Sequence, residues 1–238
     1  MQSVASNWEF TQNGFTIIDA IYTQEEIRNI IEQIEQVNSD KPTFRVSNDL
    51  FAIRQFLREV PGVCPLIFNA KLISIINDLF GDDYFVVKSI YFDKPGLSNW
   101  FVAYHQDLTI SVDYKLDVAG YGPWTVKQNQ FAVQPPLAIL QRNFTIRIHL
   151  DDTDADNGAL RVVPGSHLKG VYRPENIDWT IECEHICDVK AGSVMLMSPL
   201  LLHASNRTTN NKKRRVIHIE FSNAELAEGL HWSEKIDF

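Results

Sequence analysis

Cysteine is scarce in this chain: Cys64, Cys183 and Cys187 are the only three in 238 residues. That is too few for a disulfide framework. Cys183 and Cys187 stand four apart with no second pair to complete a zinc site, so all three read as buried or incidental thiols of a reducing compartment. Long apolar runs are lacking too, and none approaches the ~20 residues that span a bilayer. The opening Met-Gln-Ser-Val-Ala-Ser-Asn-Trp has neither the basic segment nor the apolar core of a secretory signal, and a cytoplasmic location is expected. Positive charge is in deficit: 22 Lys and Arg against 30 Asp and Glu leave a formal net charge of −8. This balance argues against non-specific binding to nucleic acid or to an anionic membrane. It leaves room for a local basic pocket, for which Arg142, Arg147 and Arg161 are candidates. Internal repeats and low-complexity segments are not found, and oligomeric state is left open.

Against these absences stand 45% hydrophobic and 22% charged residues, the composition of a soluble protein with a real core. All-β barrels reach this length as one unit, so residues 1–238 are expected to form a single domain. Residues 1–83 read as mostly helical scaffold and 84–222 as a β core. Phe15-Thr-Ile-Ile-Asp predicts a first strand. Thr23-Gln-Glu-Glu26 is a capping box opening a helix whose Ile27, Ile30, Ile31, Ile34 and Val37 share one face, with a turn at 39–42 ending it. A second helix is expected over 48–59, on the spacing of Leu50, Ile53, Phe56 and Leu57, and a third from Asn69 to Leu79.

Strands dominate afterwards. Residues 84–92 are rich in β-branched and aromatic types, residues 113–136 read as a long irregular loop, and Phe144–Leu150 alternates strictly. A turn over 151–158 is expected to return the chain through 159–163 as a hairpin. Further strands are expected over 189–197 and 214–221. Helices first, then many short strands with Gly and Pro turns, predict a mainly β fold: a double-stranded β-helix (cupin-like jelly roll) with N-terminal helices packed on one sheet.

The chemistry centres on Tyr104-His105-Gln106-Asp107. On a strand, His105 and Asp107 project from the same face, so an imidazole and a carboxylate can grip one metal ion. His203, in Pro199-Leu-Leu-Leu-His203-Ala-Ser, would complete the 2-His-1-carboxylate face that leaves open positions on Fe(II). Arg214 follows eleven residues later, with Arg215 beside it. The two point to opposite faces of a strand, and only one can serve as an anion clamp in the site. The other histidines have plainer readings: His149 and His218 as core residues or supports of the site, His167 as a structural corner, His185 and His231 as surface. Trp100, Tyr104, Trp124 and Phe131 are candidates to line a substrate cavity.

These residues resemble the phytanoyl-CoA dioxygenase family of Fe(II)/2-oxoglutarate oxygenases. The resemblance runs from about Phe85 to Ser222 and includes Asn99-Trp100, His105-Gln-Asp-Leu-Thr109, Val133-Gln-Pro-Pro136 and Arg147-Ile-His-Leu-Asp-Asp152. It continues through Asn157-Gly-Ala-Leu-Arg-Val-Val-Pro-Gly-Ser-His167, His203-Ala-Ser205 and Arg214-Arg215. It implies iron on His105, Asp107 and His203, the distal carboxylate of 2-oxoglutarate on Arg214 with help from Ser205, and Arg147 near the co-substrate. Arg215 takes the clamp's place if the preceding loop slips by one residue. The cofactors implied are Fe(II), 2-oxoglutarate and O2, and the partner a small molecule, not necessarily a CoA ester. Related halogenases lack the carboxylate, so Asp107 favours hydroxylation. The competing expectation is a cupin-like metal-dependent isomerase or a non-catalytic binding jelly roll, neither of which needs Arg214 with Ser205.

Overall fold

The computed structural model describes residues 2–37, 41–48, 51–127 and 130–238. Its strands are β1 (Phe15–Ile18), β2 (Phe44–Val46), β3 (Phe51–Arg54), β4 (Phe85–Lys94), β5 (Val102–His105), β6 (Ile110–Val112) and β7 (Trp124–Lys127). They continue with β8 (Gln130–Val133), β9 (Asn143–His149), β10 (Leu160–Val162), β11 (His185–Ile186), β12 (Val194–Met197), β13 (His203–Ser205) and β14 (Arg214–Ser222). The helices are α1 (Gln2–Asn13), α2 (Gln24–Glu35), α3 (Phe56–Glu59), α4 (Cys64–Ile67), α5 (Ala70–Phe80) and α6 (Leu137–Leu140). A seven-stranded sheet runs β1-β12-β9-β14-β4-β3-β2, and a four-stranded sheet runs β11-β10-β13-β5. A small third sheet, β6-β8-β7, stands beside them. This is the jelly roll expected.

Alternation decides which side chains face which layer. On β9, Phe144, Ile146 and Ile148 join Ile217, Ile219 and Phe221 of β14 in the core shared with the helices. Phe80 of α5 stacks on Phe144 at 3.8 Å, and Phe144 on Phe221 at 4.8 Å. The α2 capping box is made as the sequence predicts, and its buried Ile27, Ile30 and Ile34 each contribute roughly 1.5–3 kcal/mol by leaving water. The remaining β9 positions, Arg147 and His149 among them, project toward the four-stranded sheet. The register aligns Arg54, Ile90, His218 and Arg147 in one row across β3, β4, β14 and β9, and Ala52, Phe92, Val216 and His149 in the next.

Several local expectations are corrected. The helix over 48–59 is instead β3 followed by α3, because Gln55 adopts a left-handed backbone (φ 50) that no continuous helix tolerates. Ile53, Phe56 and Leu57 mimic helical spacing across two elements. Asp49 and Leu50 of that reading lie outside the described residues, as do Ser39 and Asp40 of the turn. The N-terminal segment holds α1, which lacks an apolar stripe and is fixed by Phe10 against Phe80 and by Glu9 accepting from Thr16. Residues 1–83 also supply β1, β2 and β3 to the large sheet, so they are more than a helical cover. Within 113–136, β7 and β8 pair beside β6 over an apolar cluster with Leu140 and Leu200. The stretch after β9 does not return as a hairpin: β10 pairs with β11 and β13 in the opposite sheet. Cys64, Cys183 and Cys187 are free thiols. Among the described residues, no single helix is long and apolar enough to cross a membrane.

Candidate metal centre and co-substrate pocket

Three segments meet where the two large sheets face each other. The register of β13 against β5 sets His203 directly opposite His105, and their rings stand 4.2 Å apart. Asp107, two residues beyond, lies between them: His105 Nε2 is 3.8 Å from Oδ1 and His203 Nε2 is 3.8 Å from Oδ2. One donor atom from each of the three falls within 4.8 Å of the others. Gln106 points the opposite way. Its amide nitrogen donates to the carbonyls of Gly170 and Leu200, and its oxygen accepts from the Tyr172 amide at 2.8 Å. The Asp107 amide donates to Pro199 O at 2.8 Å. The segment after β5 is thus tied to the approach of β13.

The histidines are prepared as ligands. Nδ1 of His105 lies 2.9 Å from Ala103 O, and Nδ1 of His203 lies 2.9 Å from Leu201 O. A carbonyl only accepts, so each proton sits on Nδ1 and each Nε2 presents its lone pair toward Asp107. Burial pushes the His203 imidazole down to about 4, partly offset by Asp107, and keeps it neutral. Burial would raise the Asp107 carboxyl, but its polar surroundings, the Lys88 ammonium among them, hold it well below its usual range. Among the described residues, its buried Oδ2 has no hydrogen-bond donor. An ionised, buried oxygen without a donor is costly unless a cation stands against it, so the donor set fits a divalent metal. A second group, Asp107, His218 and Glu220, also lies within that distance. There His218 Nδ1 accepts from Arg147 Nη1 at 3.1 Å, and Nε2 donates to Glu220 at 3.1 Å, which uses both nitrogens and makes it a hydrogen-bonded support.

Beside the triad lies a cavity of about 250 Å³. Arg214, Ser205 and Arg147 all line it. Arg214 and Arg147 are buried, and among the described residues neither has a carboxylate partner and the Nε of each has no hydrogen-bond partner. Burial lowers Arg214 to about 9, with repulsion from Arg147 adding to it, and Arg147 to about 10. Both stay charged at neutral pH. Ser205 Oγ donates to Gly158 O at 2.9 Å, and Arg214 Nη1 donates to the same carbonyl. Gly158 has φ +85, and a Cβ there would meet the backbone carbonyl of Asn206 at 2.9 Å as well as Lys94 Nζ at 2.8 Å, so the position favours glycine. Arg215 turns to the other face, where its Nε and Nη2 grip Asp151 at 2.9 and 2.7 Å.

Residues 10–216 match the family model described as Phytanoyl-CoA dioxygenase (PhyH). The chain belongs to the phytanoyl-CoA dioxygenase family. This dioxygenase is 23% identical over 91% of its length to a probable alpha-ketoglutarate-dependent hypophosphite dioxygenase of Stutzerimonas stutzeri, of which it covers 77%. Among solved structures, it superposes on EctD of S. alaskensis with bound Fe at a TM-score of 0.70, with 19% identity over 92% of this chain and 75% of that one. It superposes on HygX of Streptomyces hygroscopicus with nickel, 2-oxoglutarate and hygromycin B at 0.66, with 15% identity over 94% and 88%. These structures share the jelly-roll fold. The chain is a non-haem Fe(II)- and 2-oxoglutarate-dependent dioxygenase.

Other sequence candidates scatter around the dioxygenase site. Trp100 lines the first cavity, and Phe131 lines a second, larger one beside it. Tyr104 instead bonds Glu184 next to Trp179, and Trp124 packs in the apolar cluster under β6. Arg161 pairs with Glu184 and Arg142 bonds Asn223, so of the three basic-pocket candidates only Arg147 enters the cavity. His149 is a buried residue bonded to Thr153, and His167 holds Thr11 O. His185 and His231 are exposed. Sequence reasoning missed Lys88, Lys94, Arg45 and Arg54, which also line the cavity. Their inward parity on β2, β3 and β4 is legible only once those segments are known to be strands.

Proposed function

We propose that this dioxygenase hydroxylates a small organic molecule, with residues 1–238 acting as one catalytic domain. His105, Asp107 and His203 are the metal ligands in this reading. The observation that carries it is their convergence, with two imidazole Nε2 lone pairs and a donorless buried carboxylate oxygen aimed at one point. Arg214 binds the distal carboxylate of 2-oxoglutarate through its unpartnered Nε edge, where a guanidinium fork matches both oxygens. Ser205 and Gly158 orient Arg214, and Arg147 adds positive charge from the next strand. Arg215 is engaged with Asp151 and takes no part. Iron, when bound, supplies the redox centre at which O2 and 2-oxoglutarate yield succinate, CO2 and an oxidised substrate. The protein fixes the ligand face and keeps the buried His203 neutral. A small-molecule substrate accords with relatives whose names specify hypophosphite or a complex with hygromycin B.

The test is O2-dependent succinate formation from 2-oxoglutarate by the Fe(II)-loaded protein without added substrate. Slow turnover that disappears in His105→Ala and in Asp107→Ala is expected. Turnover at the native rate in Asp107→Ala would remove its carboxylate from the ligand set.

A further inference from the structure

The cavity is far more cationic than the chain that encloses it. Arg45, Arg54, Lys88, Lys94, Arg147 and Arg214 line it against the single carboxylate of Asp107, in a protein of net charge −8. Much of this charge has an assignment. Lys88 pairs with Glu220 at 2.6 Å. Arg147 is tied to His218. Lys94 and Arg214 face each other in register at the ends of β4 and β14, the end assigned above to 2-oxoglutarate. Fe(II) and the 2-oxoglutarate dianion cancel one another, so together they neutralise none of the rest.

Arg45 and Arg54 remain. The register sets Arg45 opposite Ala52, which makes Arg54 its diagonal neighbour on the same face of the sheet. Such positions lie about 7–8 Å apart, within reach of long side chains. Arg45 is exposed and Arg54 half-buried, so water moderates their repulsion, and the two like charges together favour an anion placed between them. Neither forms an ion pair among the described residues: Arg54 Nη1 donates to Gln130 Oε1 at 3.0 Å, and Arg45 lies 5.8 Å over the Trp100 ring. At about 4.8 Å per strand, β3 and β2 stand about 10 and 14 Å from β14 and its Arg214. They therefore offer an anion site separate from the 2-oxoglutarate end.

Arg54, with Lys88 and Ile90, is also shared with the second cavity, of about 610 Å³, a size suited to a small ligand. Thr109, Ser111 and Thr125 put hydroxyls on its wall, with Gln130 and Phe131 among the other lining residues, and the carboxylates of Asp113 and Glu234 stand there too, away from Arg45, which lines only the first cavity. We propose that the substrate carries an oxyanion, a carboxylate or a phosphoryl group, gripped by Arg54 and Arg45. Its polar body lies in the second cavity, and its reacting carbon is directed to His105 and Asp107. The inference rests on the dioxygenase site assigned above.

The experiment titrates inorganic phosphate, and separately acetate, into Mn(II)-loaded protein saturated with 2-oxoglutarate, read by calorimetry. One oxyanion site is expected, weakened at least tenfold in Arg54→Gln and in Arg45→Gln and retained in Arg54→Lys, with 2-oxoglutarate affinity unchanged. Tighter phosphate binding marks a phosphoryl substrate, and tighter acetate binding a carboxylate. If Arg54→Gln also loses 2-oxoglutarate, its fold has suffered, and Arg45→Gln on the edge strand carries the test. No oxyanion site beside 2-oxoglutarate, or one indifferent to both substitutions, overturns the inference and leaves the co-substrate assignment standing. Failure of 2-oxoglutarate itself to bind overturns the assignment beneath it.

Discussion

Arg214 and Arg215 are chemically identical neighbours with separate surroundings, and the difference is testable. Arg214 is buried beside the triad with Nε unpartnered, whereas Arg215 makes a two-pronged contact with Asp151 that also caps its own amide. Lysine cannot reproduce a fork. A lost charge-assisted pair is worth ~1.5–3 kcal/mol, so Arg214→Lys should raise the 2-oxoglutarate KM about tenfold to a hundredfold. Arg215→Lys should leave that KM unchanged and lower stability by about 1 kcal/mol. Steady-state kinetics and urea unfolding on the same preparations decide it, and a KM effect in Arg215→Lys would reverse the assignment. The triad is legible in sequence because strand parity and chain order are one-dimensional properties. The choice between the arginines is not, since it depends on the register of β14 against β4. Gly158 and Lys94 are invisible for a similar reason, because their contacts lie with residues 205, 206 and 214.

At the scale of elements, the stretch that bears the ligands is short and held largely by one side chain. Gln106 bridges Gly170, Tyr172 and Leu200 from the face opposite the metal. Gln106→Leu fills the space but leaves the buried Leu200 carbonyl and the half-buried Gly170 carbonyl and Tyr172 amide without this partner, at ~1 kcal/mol each. It should cost about 3 kcal/mol of stability and weaken metal binding, read by chemical unfolding and by competition with a chelator. Native metal affinity in this variant would show that β5 and β13 fix the ligands alone. Helices α2 and α5 are readable because a cap and an apolar stripe coincide in each. α1 has no stripe and so gives no such signal. β3 imitates helix because Ile53, Phe56 and Leu57 fall at helical spacing across the break at Gln55, and that imitation conceals Arg54 as a cavity-lining residue.

For the whole molecule, the jelly roll encloses a cavity lined by several Arg and Lys side chains in a chain of net charge −8, and the charge buried there has a signature in pH. His149 is buried, and burial, with the charges of Arg147 and Arg214, keeps its imidazole well below its ordinary 6.5. Below that pH the unfolded chain binds a proton that the folded chain refuses, so stability falls as pH falls. The contribution of this one group approaches about 1.4 kcal/mol per pH unit between pH 6 and 5. His149→Gln should flatten the metal-free stability profile by that amount, and parallel profiles would refute the sign or the site.

The account's central claim is that one face built by His105, Asp107 and His203 holds the metal next to an Arg214-based seat for 2-oxoglutarate. The most direct measurement is an anaerobic titration of 2-oxoglutarate into the Fe(II)-loaded protein, followed by the visible absorption of the chelate. The account predicts a band that saturates at one 2-oxoglutarate per chain, persists in Arg215→Lys and is absent in His203→Ala. No band in the native protein, or an unaltered band in His203→Ala, would contradict it.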